Sequence, residues 1–105
     1  MTQPDPKPES LLVKLLKIAV ESGADSIEVE PDRGEVIVYA FQGNSGVSIA
    51  SFDSDDSEAE ALLDDLWKRW RKRKRVEIDG THYNLKVETY DSFDETVYRL
   101  HFEKI

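Results

Sequence analysis

Between residues 10 and 22 the apolar positions Leu11, Leu12, Leu15, Leu16, Ile18 and Ala19 recur at helical steps, with Lys14, Lys17 and Glu21 left for water. That spacing gathers one face of an α-helix. Ser10 can cap its first turn, and Gly23 stands where a helix commonly exits in the left-handed conformation. The period then shortens to two. Ser26-Ile27-Glu28-Val29-Glu30 alternates and predicts a half-buried strand, and Pro31-Asp32-Arg33-Gly34 has turn chemistry. The EVIVYAF segment, 35–41, is β-branched and aromatic on both faces, which predicts a central strand covered on both sides. Residues 42–46 read as a second turn and VSIASF, 47–52, as a third strand.

A second helix follows. Ala59, Leu62, Leu63, Leu66, Trp67 and Trp70 fall at three- and four-residue steps, and Ser57 with Glu60 has the spacing of a capping box. Helical phase puts Trp70 in the stripe of Leu62, Leu63 and Leu66 and leaves Trp67 at its edge. Asp55, Asp56, Glu58 and Glu60 crowd the start of this helix and a basic run its end, each sign answering the helix dipole. VEID and the segment from Thr81 are joined by Asp79-Gly80, a strong signal for a tight hairpin. Tyr83, Leu85 and Val87 alternate with His82, Asn84 and Lys86. A polar turn at 91–94 leads to a last strand with Tyr98, Leu100 and Phe102 on one face. The expected fold is α+β: a two-layer sandwich of order αβββαβββ, a mainly antiparallel sheet with both helices on one face. Residues 10–105 read as one domain, preceded by a flexible lead-in at 1–9.

Composition narrows the function classes. Apolar content of 39% against 34% charged is that of a globular chain. No apolar stretch approaches the roughly 20 residues of a membrane span, so no membrane insertion is expected. The first ten residues lack the basic-then-apolar order of a secretory signal. There is no cysteine, which removes disulfides, thiolate metal sites and cysteine nucleophiles and suits a cytoplasmic setting.

The net charge of −8 conceals a pattern. Lys68, Arg69, Arg71, Lys72, Arg73, Lys74 and Arg75 are seven of the 14 basic residues, which leaves 22 acids against seven bases elsewhere. An acidic body repels the phosphate backbone, so broad nucleic-acid binding is disfavoured and the basic run is the exception to weigh.

The stretch Gly23-Ala24-Asp25-Ser26-Ile27-Glu28-Val29-Glu30-Pro31 resembles the GASDIHIEP-type motif of the type II secretion and type IV pilus assembly ATPases, where it opens the domain ahead of the motor. The resemblance extends in outline over residues 10–105: VYAFQG at 38–43 for a strand ending in an Asp-Gly turn, the helix from Ser57, KVET at 86–89 for an RVST-type stretch, and Arg99-Leu100 for a basic-Leu ending. It implies the N-terminal, pre-motor domain without the motor. The departures are informative. Glu28 replaces the motif His, Val38 and Ala40 replace two arginines that approach nucleotide in the family, Gln42 replaces an Asp, and Lys86 replaces an Arg; Arg99 keeps its type. No Gly-Lys-Ser/Thr loop exists to cradle phosphates. The resemblance therefore implies a fold and argues against inherited ATP contacts.

Other chemistry is weakly signalled. His82 and His101 fall on one sheet face, where Glu88 or Glu103 could complete a metal site, but the spacing matches no metal motif. Asp53, Asp55 and Asp56 lack the glycine and late Glu of a calcium loop. No serine sits in a nucleophile elbow. The expectation is a non-enzymatic interaction module with no cofactor and no metal. Its partner would be a protein, either one with an acidic surface or a second copy. The residues expected to carry the contact are Arg69, Arg71, Lys72 and Arg75, pointing away from the Leu62–Leu66 stripe, with Trp67 beside them. The alternative is anionic-ligand or nucleic-acid binding through the same basic end. A small-molecule sensor with a pocket between helix and sheet is a third reading.

Overall fold

The computed structural model of the chain describes residues 10–69, 74–92 and 95–105. Elements follow the order α1 (Leu11–Glu21), β1 (Ser26–Asp32), β2 (Glu35–Gln42), β3 (Ser45–Asp53), α2 (Ser57–Arg69), β4 (Lys74–Ile78), β5 (Thr81–Ser92) and β6 (Glu95–Lys104). The six strands form one sheet in the order β3-β2-β1-β6-β5-β4, and every pairing is antiparallel.

The two-layer sandwich expected from the sequence needs correcting. Strand makes up 57% of the described residues and helix 26%, so they form chiefly a single antiparallel sheet to which two helices are added. The physical reason lies in the turns. β1 and β2 join through Arg33-Gly34 alone, with both φ angles positive (49° and 84°), and β4 and β5 through Asp79-Gly80 in the same way (49° and 80°). Such two-residue turns match the twist of paired strands and leave almost no chain in loops. Pro31 and Asp32, expected in the turn, are absorbed into β1, and β3 starts at Ser45 instead of Val47.

A second correction concerns the basic run. β4 begins at Lys74, so Arg75 lies on a strand and not on a helix end. Val76 and Ile78 alternate with Arg75 and Glu77, and burying the two apolar residues on the sheet outweighs continuing a helix made of cations. The cap of α2 also shifts by one residue: Asp56 Oδ1 accepts from the Glu58 amide at 2.9 Å, in place of a cap by Ser57. Ser10 caps α1 by accepting from the Val13 amide at 3.2 Å.

Register sorts the strands into two faces. Ile27, Val29, Val36, Val38, Ala40, Val76, Ile78, Leu85, Val87, Tyr98, Leu100 and Phe102 share one face and one buried cluster with Leu12, Leu15, Leu16 and Ala19 of α1 and Ala59, Leu62 and Leu66 of α2. An ion pair, Lys17 to Asp79 at 3.1 Å, also ties α1 to the β4–β5 turn. Leu66 is fully buried and Trp67 is 55% exposed, whereas Trp70 lies outside the described residues. Ile18, counted in the α1 stripe, faces outward. β2 is not covered on both sides: it is the second strand from the edge, and Ile37, Tyr39 and Phe41 are half-buried on the open face.

Candidate functional site

Two regions carry polar or apolar groups that core packing does not absorb. The first is the β3 edge. The motif residues at the α1–β1 junction build it. Gly23, at φ 81°, turns the chain out of α1. The Asp25 carboxylate then accepts from the Ser26 hydroxyl at 3.2 Å and the Gly43 amide at 3.1 Å, while the Asp25 amide donates to the Phe41 carbonyl at 2.8 Å. Asp25 thus pins the β2–β3 turn against the end of α1. Beside that junction lies an apolar groove of about 200 Å³, lined by Ser22, Ala24, Ala40, Gln42, Ser45, Val47 and Ile49.

The strand that borders the groove is unusual for an edge. β3 pairs with β2 alone among the described residues, and it carries no Lys, Arg or Pro over nine residues. Edges without such residues are templates for a further strand. A register shift opposite Val38 and Tyr39 makes Ile49 an extra residue, so Val47, Ile49 and Ala50 all lean toward the helix side. Val47 is 66% exposed there. On the other side of β3, Gly46 lies under Phe41, whose ring would be 2.6 Å from any added Cβ.

The second region is the open sheet face. Arg99 sits between Glu28 on β1 and Glu88 on β5 in register, with its guanidinium carbon 5.2 Å from the centre of the Phe41 ring. Its Nε is buried and has no hydrogen-bond partner among the described residues. Glu28 is only 7% exposed and accepts a hydrogen bond from the Tyr90 hydroxyl. Loss of water, and then that bond to the Glu28 carboxylate, push the Tyr90 phenol up to about 12. Glu30 is raised by burial and then by Glu28 nearby. Glu88 receives Lys86 at 3.1 Å and His101 at 3.4 Å, and the Lys86 hydrogen bond holds its carboxyl below the ordinary range. This is a cross-strand charge ladder with aromatic rows beside it.

Of the sequence-derived candidates, Trp67 and Arg75 have described side chains. Arg71 and Lys72 lie outside the described residues, as does the side chain of Arg69. Arg75 is exposed on the open face of the edge strand β4, opposite Asn84. Trp67 is on α2. His101 meets Glu88, but His82 lies near the other end of β5, beside Ile105, so the two histidines are not brought together. No group of three metal-ligating side chains forms among the described residues. Val38 and Ala40, which the family resemblance aligns with the arginines that approach nucleotide, face the core, whereas Lys86 and Arg99 face the opposite side of the sheet. A cleft of about 440 Å³ between the β1–β2 turn and the start of β6 is lined by Glu30, Pro31, Asp32, Arg33, Ser92 and Glu95. No helix among the described residues is long and apolar enough to cross a membrane.

No protein-family model matches the chain, and no curated protein does. Function has to be read from its own residues. Sequence reasoning missed the β3 edge and the Glu28–Tyr90 bond. The first was signalled by the lack of charge in SGVSIASF, the second by nothing local, since its partners stand 62 positions apart.

Proposed function

We propose that this chain is a non-enzymatic protein-interaction module that takes an extended strand on its β3 edge. The observation that carries the reading is the nine-residue β3 strand, unpaired on one side among the described residues, with Val47 two-thirds exposed beside an apolar groove. Strand addition of this type draws affinity from main-chain hydrogen bonds and specificity from alternate side chains seated in a neighbouring groove. The resemblance to the pre-motor domain of secretion and pilus assembly ATPases supports an interaction role, as does the replacement of that family's nucleotide-facing arginines by Val38 and Ala40. The test is a photo-reactive benzoylphenylalanine at Val47, irradiated in the source cell. A discrete adduct is expected, and it should vanish when Ser48→Lys and Ser51→Lys place cations along the edge. No adduct, or one indifferent to those lysines, overturns the reading.

A second reading, anionic-ligand or nucleic-acid binding through the basic run, is favoured by the exposure of Arg75 where the run enters β4. It predicts binding of random labelled oligonucleotides with a steep log-linear salt dependence.

A further inference from the structure

We infer that the strand added to β3 is β4 of a second copy of this chain, in a head-to-tail contact. The inference rests on the strand-addition reading above and names its partner.

Three observations support it. The first is charge. The chain end of β3 carries Asp53, opposite Glu35 in register, and runs on into Asp55 and Asp56. The run that holds seven of the 14 basic residues leads into the start of β4, at the other edge of the sheet. Antiparallel pairing sets the acidic end of one strand against the basic end of the other, whereas parallel pairing sets them at opposite ends.

The second is parity. The sheet has six strands, all antiparallel to their neighbours, so β3 and β4 already run in opposite directions within one copy. A second copy in the same orientation therefore presents an antiparallel β4 to β3. The sheet continues with all helices on one side.

The third is register. Asp53 and Arg75 both belong to the open face, while Phe52, Ala50, Val76 and Ile78 belong to the helix face. One alignment places Asp53 opposite Arg75, Phe52 opposite Val76 and Ala50 opposite Ile78, with every residue on its own face. A slip of one residue would put each side chain against the wrong face. A contact between two different edges is heterologous, so it propagates as a chain or closes as a ring.

Sedimentation velocity on the full chain tests this. At about 0.05 M salt the wild type should associate as concentration rises, and at about 0.5 M, where charges are screened within a few ångström, it should associate about tenfold more weakly. Asp53→Lys puts like charges opposite each other, and so does Arg75→Glu. Both residues are exposed, so both variants should fold, which circular dichroism checks. Each variant alone should stay monomeric. Mixed, they should associate again, since β3 of the Arg75→Glu copy meets β4 of the Asp53→Lys copy with both residues unaltered, and the reverse contact sets the introduced lysine against the introduced glutamate with opposite charges. If Arg75→Glu associates like wild type while Asp53→Lys does not, two β3 edges are pairing and the inference is wrong. A wild type that stays monomeric throughout also overturns it. Should the Val47 probe capture a different polypeptide in that case, strand addition stands and only the identity of the partner is lost.

Discussion

Truncating Leu66 is the most direct test of how α2 is held on the sheet. The side chain is fully buried in the cluster shared by both helices and the sheet. Leu66→Ala removes three carbons from it, a transfer loss of about 2.4 kcal/mol at about 0.8 kcal/mol per carbon. The cavity left behind adds to this, because the surroundings relax only in part, and the measured range for such changes is about 2–5 kcal/mol. α2 packs chiefly on α1 and β3 and can sink partway into the gap, so the expected loss is about 3 kcal/mol. Against a total of about 5–15 kcal/mol for a typical domain, that is a large fraction. Urea unfolding followed by far-ultraviolet circular dichroism measures it without relying on tryptophan emission. Trp67→Ala, one position on and 55% exposed, should cost clearly less. A Leu66→Ala protein within about 0.5 kcal/mol of wild type, the level of surface changes, would refute the facing of α2.

Two further outcomes follow from the turns and the open face. The Tyr90 phenol is raised from 10.0 to about 12, so the folded chain keeps a proton that the unfolded chain releases first. The associated stability is whole below pH 10 and is lost as pH rises through about 12. Tyr90→Phe should flatten that alkaline decline in urea titrations, and at neutral pH should cost about 1 kcal/mol or more by leaving the buried Glu28 carboxylate without its donor. Arg33 occupies φ 49°, a region that residues with a Cβ enter at a cost. Arg33→Gly should therefore raise the urea midpoint by about 1 kcal/mol in stability, and a fall would show that the Arg33 side chain holds the turn by other means.

Much of the architecture was legible in the residues. Period-two alternation assigned Leu85, Val87, Leu100 and Phe102 to the buried face, and Asp79-Gly80 announced its hairpin because aspartate and glycine tolerate positive φ. Arg33-Gly34 carried half of that signal, so the turn was read as wider than it is. The start of β4 was illegible for a different reason: Lys and Arg are good helix formers, and nothing in Lys74-Arg75 marks a strand until Val76 and Ile78 find the sheet. Alternation also marked Glu28 as solvent-facing. Its burial depends on Tyr90 and Arg99, residues on β5 and β6 whose adjacency is a property of strand order. The candidate site suffered most, since an edge is defined by what does not pair with it, and strand order alone reveals that.

The order β3-β2-β1-β6-β5-β4 has a consequence for how the chain folds. Each half of the sequence is a helix followed by three strands that form a meander of sequence neighbours, so each meander can form from local contacts. Within the sheet β1 against β6 is the seam between them, with partners Ser26 and His101 75 positions apart, and α1 also packs across it on α2 and β4. Closing that distance costs chain entropy before any contact repays it. Closure of the seam is therefore expected to follow formation of the two meanders.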